Sequence, residues 1–265
     1  MTASAPAPDL ADPHDLAAFR THTRRWLAAH MPRRDPDADP RAAMTSDEHD
    51  RFSRARMLQR TLYEGGFGGL AFPEAYGGAG LTPAHQQVLV EEAADYEMPV
   101  RFVMPTIGII APTLLDFGTE SQKRAHIAPM LRGDHLWVQF MSEPTGGSDM
   151  AGATTRATRD GDVFVLSGSK IWSSGAHLRD HAMCLARTNW DVPKHRGLSM
   201  LAIEIDQPGI EVVRIRQVDG SAEFCQEFFD DVPIPASAVV GAVDDGWAVA
   251  TRMLFHERNA VGGGR

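Results

Sequence analysis

The chain has 265 residues, 43% hydrophobic and 23% charged, enough to build a sizeable core in one large or two smaller domains. A formal net charge of -9 argues against a nucleic-acid binder, since phosphate backbones call for clustered Lys and Arg. Two cysteines without a CxxC argue against a disulfide framework and suit a reducing, cytoplasmic setting. The acidic, Pro/Ala-rich start is no secretory leader, and no uninterrupted run of about 18 apolar residues predicts a membrane span.

Residues 1–11 read as a disordered lead-in, and Asp12-Pro13 as an N-cap followed by Pro at the first helical position. Leu16, Phe19, Thr23, Trp26 and Leu27 follow at helical spacing, and Arg24-Arg25 with Arg33-Arg34 reads as a solvated helix face. Thr45 with Glu48 forms a second cap, ahead of a stripe through Phe52, Ala55, Leu58 and Leu62 that Gly65-Gly66 stops. Thr82-Pro83 opens a helix reaching to Ala94. The stripe Ile107 to Leu115 must kink or restart at Pro112, and Thr119 with Gln122 caps a helix that ends by Gly133. The pattern therefore predicts an N-terminal helical domain over 12–135.

From about Leu136 the period changes. Runs at 136–141, 163–166, 181–187, 198–205, 210–216 and 225–230 are short, β-branched or aromatic, and separated by turn residues. Strands without intervening helices predict an antiparallel sandwich or barrel over 136–243. At 244–265 a helix begins with Gly246-Trp247. The fold class is α+β, in separate layers.

Several motif matches fail on context. Gly66 to Ala71 fits G-x-G-x-x-A but follows a helix, where a dinucleotide loop needs a preceding strand. Ser167 to Lys170 fits S-x-x-K without its companion motifs. His177, His181 and Cys184 lack a fourth ligand, and alternating strand faces would not converge them on a metal.

The stretch from Gln139 to His177 carries chemistry. It reads QFMSEPTGGSDMAG, then a hairpin, then LSGSKIWSSGAH. Two strand ends each present a hydroxyl beside a Gly-rich turn: Ser142 in the first, Ser174 in the second, with Trp172 two residues earlier. A flavin needs donors at its polar edge, an aromatic surface on its flank and close backbone approach, which Gly146-Gly147 permits. Ser/Gly-rich strand ends are equally the composition of ordinary turns.

SEPTGGSD and GSKIWSSGAH resemble the two signatures of acyl-CoA dehydrogenases, and PEAYGGAGL, FGTESQK, CLART and FFDDVPIP fall in the family's order. The resemblance covers roughly residues 12–264. It implies a helical domain, a β-domain and a C-terminal helical bundle, of which RMLFHERNAVGGG supplies only the first helix. It also implies FAD as cofactor. Ser142 and the backbone near Met141 and Gly147 would meet the flavin, Trp172 would flank it, and Ser174 would bond near its reactive edge. Ser148 and Arg258 would serve an acyl-CoA or related thioester. Thr145 stands where Gly or Ala is usual, a change that removes no donor.

The resemblance further implies that a Glu removes the substrate α-proton while hydride leaves the β-carbon. In branches resembling isovaleryl- and long-chain acyl-CoA dehydrogenases the Glu precedes an Arg in the bundle's first helix, the place held here by Glu257-Arg258. Partners implied are an electron-transfer flavoprotein and further subunits, homo- or hetero-oligomeric. Rival readings are a flavin monooxygenase or nitroalkane oxidase on the same fold, a non-catalytic subunit, and a fragment. The last helix carries Trp247, Val249, Met253, Leu254 and Phe255, which the sequence reading leaves unburied, so the chain is expected to seek a partner.

Overall fold

The computed structural model describes residues 15–37 and 48–262. They fall into two compact units. One holds the described residues up to Val103 with Arg124–Asp134, the other Met104–Lys123 with the described residues from His135 onward.

In the first unit, α1 (Leu16–His30) starts at Asp15, whose carboxylate accepts from the amides of Ala17 (2.9 Å) and Ala18 (3.1 Å). The start expected at Asp12-Pro13, like Thr45 of the second cap and the lead-in, lies outside the described residues. α2 (Glu48–Glu64) ends at the expected glycine pair. Gly66 takes φ +83°, a conformation that penalises any Cβ, and Phe67 N returns to Leu62 O at 2.7 Å. α3 (Pro83–Glu92) opens on Thr82-Pro83. Phe19, Leu27, Leu58, Leu62, Val88 and Leu89 make one core with Phe67 and Leu70. The basic face is not merely solvated. Arg20 and Arg24 both reach Glu92 (2.8 Å each), tying α1 to α3.

The stretch Val100–Phe117 is helical throughout but changes register. α4 (Val100–Met104) passes into a π-helical segment, Pro105–Ile110, and then into α5 (Ala111–Phe117). Pro112 thereby falls in the first turn of α5, beside the change of register. With a mean hydropathy of 1.4 over 18 residues, this stretch is by length and composition able to cross a membrane. That is one exception to the expectation of no span. Thr106, Ile109, Ile110, Ala111 and Leu114 along it are buried against protein. α6 (Glu120–Arg132) has the expected cap: Thr119 N donates to Gln122 Oε1 (2.9 Å) and Gln122 N to Thr119 Oγ1 (3.2 Å).

The second unit is built on one eight-stranded sheet. Its strands are β1 (Trp137–Phe140), β2 (Arg156–Asp160), β3 (Val163–Ser174), β4 (His181–Arg187), β5 (Leu198–Glu204), β6 (Ile210–Ile215), β7 (Phe224–Pro235) and β8 (Val239–Val240). The order is β6-β7-β3-β2-β4-β5-β8, with β1 beside β4. Pairing is antiparallel except where β4 meets β1 and, at one residue pair, β2. All six expected strands are present, and β2 and β8 join them. β2 reads RATRD with only Ala157 buried, so no apolar alternation announces it. β3 and β7 outrun the expected 163–166 and 225–230 because each pairs the other along its length, through residues as turn-like as Gly168, Ser169 and Lys170. Phe140, Phe164, Leu166, Leu201, Phe229 and Val232 lead the core.

α7 (Gly246–Gly262) corrects one expectation. Val249, Ala250 and Met253 are fully buried, in a helix packed on β5, α5 and the π-helical segment, so the helix is not left without neighbours. Only its other face carries exposed apolar side chains: Leu254 at 36%, Phe255 at 46% and Val261. Arg252 Nε (2.6 Å) and His256 Nε2 (2.8 Å) meet Asp116 Oδ2 of α5 and pin the helix.

Candidate functional site

β1 and β3 run out at the same place. Beyond β1 the chain passes through Met141 and Ser142, and Ile171 N of β3 donates to Ser142 O at 3.0 Å, locking the two strand ends together. A cavity of about 520 Å³ opens there. Its walls include Met141, Ser142, Gly147 and Ser148 from the first signature, and Trp172, Ser173 and Ser174 from the second. Trp247, Leu254 and Glu257 of α7 complete it, with Met104, Pro105 and Ile109 of the helical stretch.

Seven of the eight residues singled out in the sequence are thus brought to one hollow. The eighth, Arg258, is exposed and does not line it. Successive helical residues point about 100° apart, so a helix that turns Glu257 inward turns Arg258 away.

Trp172 is the unusual residue of the wall. The β3–β7 register shifts between Ile171 and Ser173, so Trp172 is the extra residue of a bulge. Its φ is +69°, a left-handed conformation that costs a bulky L-residue about 1–2 kcal/mol. Its indole is 55% exposed and meets Phe224 only edge-on, at 6.0 Å between centroids. A strained backbone that presents a large aromatic to a cavity invites a functional reading. Gly147 adds another sign. A Cβ built there meets nothing within 4 Å, so no part of the chain itself requires glycine. The space beside that backbone is open.

Behind the wall lies a charge network. Lys170, fully buried on β3, donates through Nζ to Glu143 Oε1 (2.9 Å) and Met141 O (3.1 Å). Glu143 also accepts from Thr154 N (2.7 Å), Thr154 Oγ1 (2.8 Å) and Thr155 N (2.9 Å). Burial pushes the Glu143 carboxyl up, but the Lys170 ammonium and these donors overcome it and hold it at about 2. The network fixes the tight turn in which Glu143 and Gly146 exchange backbone bonds at 3.1 and 3.0 Å. Nearby, Gln139 Nε2 donates to Glu257 Oε2 at 3.1 Å, orienting a partly buried carboxylate. On the other side of Lys170, Glu227 of β7 is fully buried, and burial pushes its carboxyl up to about 8.

Gln139, Glu143, Lys170, Ser173 and Glu227 were not singled out as site residues by motif or spacing. Glu143 and Lys170 do carry a signal, since the first signature places an acid beside Ser142 and the second places a lysine two residues before Trp172. Glu227, between Gln226 and Phe228, carries none.

The donor set fits a flavin. Ser142 and Ser174 offer hydroxyls at the strand ends, Trp172 a half-exposed flank, and Gly147 an open backbone approach. Sequence comparison covers most of the chain. Residues 13–134 match the acyl-CoA dehydrogenase N-terminal domain and residues 139–232 the acyl-CoA dehydrogenase middle domain. The chain belongs to the acyl-CoA dehydrogenase family. Acyl-CoA dehydrogenase IpdE1 of Mycobacterium tuberculosis is 39% identical over 249 residues, covering 92% of this chain and 63% of the relative. Among solved structures, the Tcur3481-Tcur3483 steroid ACAD superposes with a TM-score of 0.75 at 33% identity, over 96% of this chain and 65% of that one. The ChsE4-ChsE5 complex from Mycobacterium tuberculosis gives a TM-score of 0.71 at 29% identity, over 93% of this chain and 61% of that one. The chain therefore spans under two thirds of the length of these relatives. The family consists of FAD-dependent oxidoreductases that dehydrogenate acyl-CoA thioesters.

Proposed function

We propose that this chain binds FAD in the cavity between its two signatures and contributes to α,β-dehydrogenation of an acyl-CoA or related thioester. One observation carries the reading. The strand-end hydroxyls, a strained Trp172 and the Glu257 carboxylate line one hollow, although Glu257 lies far along the chain from the others. Bound FAD would supply the two-electron acceptor for the substrate hydride.

The chain's own residues do the rest. Ser142 and Ser174 would donate to the ring's polar edge, with the backbone at Met141 and Gly147 close against it. Trp172 would cover a flank and exclude water. Ser148, exposed at the turn, would meet the thioester arm. Glu257 would take the α-proton, its Oε2 oriented by Gln139 (3.1 Å). The developing enolate needs donors at the thioester oxygen. Reoxidation would call on an electron-transfer flavoprotein.

Glu257→Gln keeps shape and hydrogen bonding but removes basicity. In the assembly that turns over, flavin reduction by acyl-CoA should fall by about 10²-fold or more in rapid-mixing measurements. An unchanged rate would move the base to another residue or another subunit. That outcome would favour a second reading, in which this chain is a non-catalytic subunit. The two-component structures among its relatives support that alternative. Rapid reaction of the reduced flavin with O₂ would instead favour a monooxygenase or oxidase on this fold.

A further inference from the structure

We propose that Glu227 is a positioning residue of the cavity wall: as a carboxylic acid it donates to Ser173 Oγ and so clamps the bulge that presents Trp172. The hydrogen-bond geometry carries this. Ser173 Oγ lies 3.0 Å from Glu227 Oε2 and 3.3 Å from Gln139 O. A hydroxyl has one proton, and a backbone carbonyl can only accept. Both contacts are therefore satisfied together only if the carboxyl donates to Ser173 and Ser173 donates onward to Gln139 O. An ionised Glu227 would take the serine proton for itself and release Gln139 O. The relay ties β7, β3 and β1 together one residue beyond Trp172, where the β3–β7 register shifts and the backbone turns left-handed. The strained indole thus depends on a clamp next to it.

The surroundings keep the acid neutral. Opposite Glu227 on β3 is Lys170, whose ammonium is engaged by Glu143 and Met141 O. From β6 the facing residue is Val212. The other ionisable groups at hand are Cys225 on β7, bonded to His177 (3.2 Å), and Cys184 on β4, whose thiol burial pushes up to about 12. Glu227 Oε1 has no hydrogen-bond partner, as expected of a neutral acid rather than a buried anion. Burial raises its carboxyl to about 8, so the relay opens near that pH.

The test reads Trp172 in the apo chain, as the emission difference between the wild type and Trp172→Phe, from about pH 6 to about pH 10. The wild type should show a transition in emission maximum and acrylamide quenching centred near pH 8. Glu227→Gln, whose amide donates to Ser173 as the acid does, should hold the low-pH signal across the range. Glu227→Leu and Ser173→Ala should sit at the high-pH signal throughout. A transition that survives in Glu227→Gln, or a low-pH signal retained by Ser173→Ala, overturns the proposal. If Glu227→Leu does not fold, the other two variants decide it. A second arm rests on the flavin reading. Apo-protein affinity for FAD should fall about tenfold in Ser173→Ala and stay within about twofold in Glu227→Gln. If the wild type takes up no FAD the flavin reading fails, while the emission arm still judges the clamp.

Discussion

Two carboxylates flank Lys170, and the fold leaves them in opposite states. Glu143, in the turn after β1, collects the lysine ammonium, two backbone amides and a hydroxyl, and is held ionised at about 2. Glu227, on β7, faces the same lysine but receives one neighbour, Ser173, and is held protonated up to about 8. Both are almost wholly shielded from water. Burial alone therefore does not set the charge of a carboxyl. The number of donors does, and one buried cation compensates only one anion. The first carboxylate builds the turn beneath the signature. The second, neutral, is free to act as a donor.

The largest effect should come from breaking the ionised side. Glu143→Gln leaves the Lys170 ammonium buried without its counter-charge, and a loss of about 3–5 kcal/mol is expected in urea unfolding. A loss under about 1 kcal/mol would mean that water or another group compensates the lysine.

The pH dependence of stability should then divide the two acids. Glu143 has its folded value depressed from 4.5 to about 2, so its contribution is complete above pH 4.5 and disappears as pH falls to about 2. Its acid limb amounts to on the order of 3 kcal/mol and should be missing from Glu143→Gln. Glu227 has its folded value raised from 4.5 to about 8, so the sign reverses. Its contribution is complete below pH 4.5, declines as pH rises to about 8, and is level beyond. Denaturation between pH 5 and 8 should show a slope approaching about 1.4 kcal/mol per pH unit from this group, abolished in Glu227→Gln. Equal slopes in the two proteins would show that Glu227 is ionised in the folded state.

The smallest effect concerns the strain that the neutral acid clamps. Trp172→Gly removes a large side chain, yet the ring is half-exposed and glycine accepts φ +69° without penalty. Stability should stay within about 1 kcal/mol of wild type. In a double-mutant cycle with Glu227→Leu, a coupling of about 1 kcal/mol is expected, since the clamp loses its purpose once the strain is gone. Strict additivity would separate the acid from the bulge.

Much was legible in the sequence because it is local. The cap at Thr119 and Gln122, the stop at Gly65-Gly66 and the short apolar runs of β4 and β5, buried almost end to end, follow from nearest neighbours along the chain. So did Ser142, Ser148, Ser174 and the indole of Trp172, all of which line the cavity. Tertiary structure alone decided the rest. β2 exists because β3 pairs with it, not because RATRD favours a strand. β1 runs parallel to β4, a choice no run of residues encodes. Trp172 is left-handed because β7 shifts register beside it, and Lys170 is buried because Glu143 meets it from another loop. Glu227 is chemically the same residue as Glu143. Only the burial and donors assembled around each by distant segments make one an anion and the other an acid.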